Sequence, residues 1–177
     1  MDRSASFEIA LPGFQVGGLD LADAPRLQRL FDACADYSVF ENGAAYPPDA
    51  AQTEFATAPP GRTVADKFMF GLIDGEGDTV GLIACDRGWP DAGCWWIALM
   101  LVDPAQRGCG VAQAFLAGFV EWVAAQGAGR IELAVLDENE RGQRFWRRQG
   151  FSHIRGTEPR TIGTKRHILH VLRRDLD

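Results

Sequence analysis

Cys94-Trp95-Trp96-Ile97-Ala98-Leu99-Met100-Leu101-Val102 is an unbroken apolar run that leads into Asp103-Pro104-Ala105-Gln106-Arg107-Gly108-Cys109-Gly110-Val111-Ala112. The run is too short for a buried helix and is stopped by proline, so it reads as a central strand buried on both faces. Beyond it, Val111, Phe115, Phe119, Trp122 and Val123 recur at helical spacing over residues 110–126, and Gly127 ends that helix. Residues 131–136, Ile-Glu-Leu-Ala-Val-Leu, form the next strand. A strand, a helix and a strand in this order make a right-handed crossover, which sets the two strands parallel.

The junction between the first strand and the helix carries chemical information. Gly108 and Gly110 remove side chains where the chain turns, so a ligand can approach the backbone closely. The first amides of the helix lack intrahelical acceptors and sit at the positive end of its dipole. Arg107 adds a permanent charge and several donors, and together these features suit phosphate oxygens. A glycine-rich loop that merely turns the chain tightly is the alternative. Neither G-x-x-x-x-G-K-[ST] nor a complete G-x-G-x-x-G after a strand occurs.

Working outward, residues 67–74 and 79–86 form a hairpin around Asp74-Gly75-Glu76-Gly77-Asp78. Leu27, Leu30, Phe31 and Cys34 predict an amphipathic helix over 24–36, capped by Asp20 or Asp23 ahead of Pro25. A short helix anchored by Phe55 follows Pro48, and residues 36–43 between the two read as irregular. Asn139 caps a helix running to about Gln149, and β-rich segments at 151–156 and 166–173 close the chain. The fold class is α/β, with the parallel pair inside a mixed sheet. At 177 residues the chain suits one domain over 1–177, able to bury a core without metals or disulfides.

Composition narrows the function. The apolar share of 46% and charged share of 24% are those of an ordinary globular chain. A net charge of −6 argues against a nucleic-acid partner, which needs a clustered basic face. Arg141, Arg144, Arg147, Arg148, Arg155 and Arg160 do crowd one stretch, as a solvated helix face or as a dock for an anion. Cys34, Cys85, Cys94 and Cys109 have no C-x-x-C spacing and read as reduced, mostly buried thiols. Met1-Asp2-Arg3-Ser4 lacks the apolar run of a signal peptide, and no stretch approaches the roughly 20 residues of a membrane span. A cytoplasmic protein without membrane contact is expected. His167 and His170 lie three apart on an apparent strand and face opposite sides, so no metal site is expected.

Further evidence lies in Asn139-Glu140-Arg141-Gly142-Gln143-Arg144-Phe145-Trp146-Arg147-Arg148-Gln149-Gly150-Phe151. With this segment the chain resembles the GNAT superfamily of acetyl-coenzyme A-dependent N-acetyltransferases. Arg107, Gly110 and Ala112 meet the family's coenzyme motif Q/R-x-x-G-x-G/A. Asn139, Gly142, Phe145-Trp146 and Gly150-Phe151 meet its downstream pattern, and the likeness is strong over about 67–151. The resemblance implies a mostly antiparallel mixed sheet with a central splayed parallel pair, flanked by helices. It implies acetyl-coenzyme A as co-substrate, a small-molecule amine as acceptor and direct attack in a ternary complex, and it is compatible with a homodimer. The pyrophosphate would lie on Arg107, Gly108, Cys109, Gly110, Val111 and Ala112. The pantetheine arm would pair with Leu101-Val102, whose amide would polarise the thioester carbonyl. Asn139 would contact that arm, Phe145 and Trp146 would pack along the coenzyme, and Arg148 would reach a phosphate.

Two departures from the family qualify the chemistry. Trp146 stands where family members often carry a tyrosine that protonates the departing thiolate, and an indole N–H is not a general acid near neutral pH. General acid assistance is worth roughly 10²- to 10⁴-fold, so its loss slows such a reaction without abolishing it. The apolar run 94–102 also lacks the glutamate that many members place there. Asp36, Tyr37, Glu41, Asp86, His153 and Glu158 are the remaining proton acceptors. Asp36 and Tyr37 are the first choices, because the N-terminal helices border the acceptor pocket in this family. A non-catalytic acyl-coenzyme A binding or sensing domain is the alternative function that these departures motivate.

Overall fold

The computed structural model describes residues 5–176; the Met1–Ser4 stretch discussed above lies outside them. The chain runs β1 (Gln15–Gly18), α1 (Ala24–Ala33), α2 (Ala35–Asn42), α3 (Ala50–Ala56), β2 (Lys67–Ile73), β3 (Thr79–Arg87) and β4 (Cys94–Val102). It continues as α4 (Val111–Ala125), β5 (Arg130–Leu136), α5 (Glu140–Arg148), β6 (Ser152–Gly156), β7 (Arg160–Ile162), β8 (Lys165–His167) and β9 (Leu169–Asp175). Seven strands form one sheet in the order β1-β2-β3-β4-β5-β9-β6, and β7 and β8 make a separate hairpin. Within the large sheet β4 and β5 pair in parallel and every other neighbouring pair is antiparallel.

The alternation of side chains along β2 and β3 divides the core between two faces. Phe70, Leu72, Ile83 and Cys85 meet Phe115, Phe119 and Val123 of α4 on one side. Met69, Leu82 and Ala84 meet Leu27, Leu30 and Phe31 of α1 and Phe55 of α3 on the other. Each fully buried Leu, Ile, Phe or Met side chain among these contributes about 1.5–3 kcal/mol of transfer free energy. At the start of α1, Asp20 caps the 3-10 turn Leu21–Asp23, and the Asp20 amide donates to Asp23 Oδ2 at 2.9 Å.

Two expectations are corrected, and two elements are found that the sequence reading did not include. The 24–36 helix ends at Ala33 and a second helix, α2, covers most of the stretch read as irregular. α2 contains the weak helix formers Tyr37, Ser38, Val39 and Phe40, and its stability comes from tertiary capping. Thr164 N–H and its hydroxyl donate to Asn42 O, Lys165 Nζ donates to Phe40 O, and His167 Nε2 lies 2.8 Å from Glu41 O. These donors come from the β7–β8 hairpin, the second element that periodicity did not reveal. β1 is the third: a short, glycine-rich edge strand held by its pairing with β2. Lastly, β4 is not buried on both faces throughout, because Ala98 is exposed and Leu99 and Met100 are half-buried.

That last difference positions the site. Ala84 pairs with Leu99 and Cys85 with Ile97, so Ala98 is the extra residue of a β-bulge. A bulge bends its strand and increases its twist. The parallel ladder covers Cys94–Ile97 against Arg130–Leu133 and stops there. β4 continues on its partner β3 and β5 continues on β9, so the two strands part beyond the bulge.

Candidate functional site

A cavity of about 830 Å³ fills the gap between the parting strands. Its walls are Ile97 to Val102 of β4, Leu133 to Val135 of β5, the turn before α4, and the cavity-facing residues of α2 and α5. Beyond Ile97 and Leu133 the facing backbone edges of β4 and β5 have no strand between them. An extended polyamide chain can complete such a pair of edges as an added strand does.

The turn lies at one end of this gap. Gly108 and Gly110 have φ of +87° and +85°, a region that L side chains rarely adopt. An added Cβ at either would enter open space, and both residues line the cavity. Gly110 is the N-cap of α4 and among the described residues no side chain caps that helix, so its first-turn amides remain available beside Ala112 and Gln113. Cys109 and Val111 do not line the cavity: the Val111 side chain is buried in the core and Cys109 is exposed. Cys34, Cys85 and Cys94 are buried free thiols.

α5 forms the opposite wall. Asn139 Oδ1 accepts the Gly142 amide at 2.8 Å and so caps this helix. A Cβ on Gly142 would lie 2.6–2.9 Å from the Asn139 carboxamide, which explains why this position is glycine. Trp146 is buried and packs against Phe145 and Phe151 at ring separations of 5.1 and 5.2 Å. Its indole belongs to the core and also forms part of the cavity wall. Arg141 and Arg148 are exposed on the lining.

α2 brings Asp36, Tyr37 and Phe40 to the third wall. Asp36 accepts from Arg107 through both carboxylate oxygens, Nη1–Oδ2 at 2.5 Å and Nη2–Oδ1 at 3.2 Å. That hydrogen-bonded guanidinium holds the Asp36 carboxyl below the usual carboxylate range. Tyr37 donates its hydroxyl to Glu41 at 3.2 Å, and burial pushes the phenol up. Burial likewise raises the Glu41 carboxyl. The other acceptors named from sequence lie elsewhere. Asp86 is buried beside Lys67 on β2, with its carboxyl pushed up to about 6 by burial. His153 and Glu158 are exposed and do not line the cavity.

One arrangement has no local signature in the sequence: His170 Nδ1 lies 3.1 Å from His153 Nε2, and His170 Nε2 lies 2.5 Å from Asp137 Oδ1. The three side chains come from β9, β6 and the loop after β5, so only the sheet register brings them together. Among the described residues no group of three or more His, Cys, Asp or Glu is placed to hold a metal ion. No helix among them is long and apolar enough to cross a membrane.

A splayed parallel pair ending in an uncapped, glycine-lined helix start defines a GNAT fold. A model of the Acetyltransferase (GNAT) family matches residues 27–151, and the chain belongs to that family. An acetyltransferase from Thermus thermophilus superposes with a TM-score of 0.76 at 22% identity, over 96% of this chain and 100% of that one. A Vibrio cholerae spermidine N-acetyltransferase, solved with CoA and spermine, superposes with a TM-score of 0.72 at 12% identity, over 93% and 96%. The mycothiol acetyltransferase of Beutenbergia cavernae is 30% identical over 112 residues, covering 63% of this chain. The matched region spans 38% of that relative's length.

Proposed function

We propose that residues 1–177 form one acetyltransferase domain that moves an acetyl group from acetyl-coenzyme A to a primary amine. The observation that carries this reading is the unpaired facing edges of β4 and β5, which lead to the uncapped start of α4. The pantetheine amides pair with the β4 edge near Leu101 and Val102, and the pyrophosphate rests on the amides of residues 107–112. Asn139, Phe145 and Trp146 flank the arm, and Arg148 offers charge to a phosphate. The amine nitrogen attacks the thioester carbon while a β4 amide stabilises the oxyanion. The carbon–sulfur bond then breaks, and coenzyme A leaves as a thiolate that takes a solvent proton; with a thiol pKa of about 8.5 it leaves tolerably near neutral pH.

The amine must lose a proton. Asp36 is engaged by Arg107 and its lowered carboxyl is a weak base. The route we favour is the Tyr37 hydroxyl, which relays the proton to Glu41, the carboxylate it already contacts. Tyr37→Phe is expected to lower kcat about 10²- to 10⁴-fold while leaving acetyl-coenzyme A affinity within twofold. An unchanged kcat would remove Tyr37 from the mechanism.

A second reading is a non-catalytic acyl-coenzyme A binding domain. The buried Trp146 favours it, as does the lack of an ionisable acid in β4. It predicts binding of acetyl-coenzyme A with no thiol release over amines, amino acids, polyamines and amino sugars. Acceptor-dependent release excludes it. The acidic net charge supports a cationic small molecule as acceptor, and a cytoplasmic homodimer as the working form is part of the proposal.

A further inference from the structure

Arg107 and Asp36 lie 71 residues apart in sequence and meet where the coenzyme turn borders α2. The donors of Arg107 point inward. Nε donates to Val102 O at 2.9 Å, Nη1 and Nη2 grip both oxygens of Asp36, and Nη2 also lies 3.6 Å from Cys34 Sγ. Cys34, buried at the junction of α1 and α2, points its own Sγ at the same Val102 carbonyl. One guanidinium therefore ties the last residue of β4 to both helices of the opposing wall.

We infer that the Arg107 side chain does not bind coenzyme phosphate but braces helix α2 against the end of β4, with Asp36 as its partner. Both are positioning residues for the acceptor wall. Three observations carry this. The planar fork is already spent on a bidentate carboxylate, the geometry it would need for a phosphate. The pair sums to no net charge, so it draws an anion weakly, whereas Arg141 and Arg148 line the same cavity exposed. The side chain of Arg107 is only 23% exposed and that of Asp36 is 58% exposed, so the pair closes inward from its arginine. The consequence for the proposed reaction, on which the inference partly rests, is that Tyr37 and Phe40 keep a fixed distance from the thioester end of β4.

The test compares Arg107→Gln, Asp36→Asn, the double variant, Arg107→Lys and Asp36→Glu in the full chain. The readouts are amide hydrogen exchange over residues 35–42 and acetyl-coenzyme A affinity by calorimetry. Each single loss should speed exchange there roughly three- to tenfold, with the double variant no worse than either, as expected for one shared contact. Asp36→Glu should restore protection and Arg107→Lys should not, because an ammonium cannot form the fork. Acetyl-coenzyme A affinity should change by less than about twofold in all five. Additive exchange effects, or an Arg107→Gln affinity loss of about tenfold with none in Asp36→Asn, would overturn the brace. If the wild-type chain failed to bind acetyl-coenzyme A, the coenzyme reading would fall while the exchange result still decided the brace.

Discussion

The two halves of the cavity are built on different principles. The half proposed for the coenzyme consists of backbone edges and helix-start amides contributed by one continuous stretch, β4 through α4, closed by α5. The half proposed for the acceptor consists of side chains on α2, and α2 is held by contacts from far along the chain: Arg107 at one end, and Thr164, Lys165 and His167 at the other. Backbone sites tolerate side-chain change provided glycine remains where φ is positive. Side-chain sites depend on every long-range partner. The coenzyme half should therefore fail most sharply at its glycines, and the acceptor half should fail by loosening.

The largest expected effect lies under the acceptor half. Lys67 is 1% exposed and its ammonium bonds Glu54 at 2.6 Å and Thr57 O at 3.0 Å. Removing the carboxylate leaves a buried charge short of its partner. Glu54→Ala should cost about 3 kcal/mol in urea unfolding and leave acetyl-coenzyme A affinity unchanged. A loss of coenzyme affinity there would dissolve the distinction between the halves.

Gly110→Leu probes the other side. Its positive φ adds roughly 1–2 kcal/mol of strain, and its side chain enters the space at the helix start. We expect about a hundredfold loss of acetyl-coenzyme A affinity, about 2.7 kcal/mol, with α2 exchange unaltered.

The smallest of the three effects depends on pH. Asp86 is 2% exposed, its Oδ1 has no hydrogen-bond partner among the described residues, and burial lifts its carboxyl to about 6. The unfolded value is about 3.9, so between about pH 4 and pH 6 the folded chain binds more protons than the unfolded one. Stability therefore falls as pH rises through that window and levels off above it. Asp86→Asn lacks this dependence, and its stability relative to wild type should improve by about 1–2 kcal/mol from pH 4 to pH 7 in thermal melts. A constant difference across that range would contradict it.

The same division explains what could be read from the sequence. The turn, α4 and the cap at Asn139 follow from local rules of glycine conformation, apolar periodicity and helix capping, and they stand where those rules put them. α2 does not, because its own residues are poor helix formers and its carbonyls are satisfied by donors more than 120 residues away. The Asp36–Arg107 pair was hidden for the same reason, since each residue had a sensible local reading, one as a base and the other as a phosphate ligand. Only the bulge at Ala98 had a faint signal, a small residue inside an otherwise bulky apolar run.

The most direct test of the central claim is the release of coenzyme A thiol from acetyl-coenzyme A, screened over amines, amino acids, polyamines and amino sugars. Exposed Cys109 adds a constant background to any thiol reagent, which is subtracted with acceptor-free samples. The predicted result is saturable, acceptor-dependent release with at least one primary amine, lost in Gly110→Leu. Saturable binding of acetyl-coenzyme A without release by any amine would contradict it and leave a binding domain in its place.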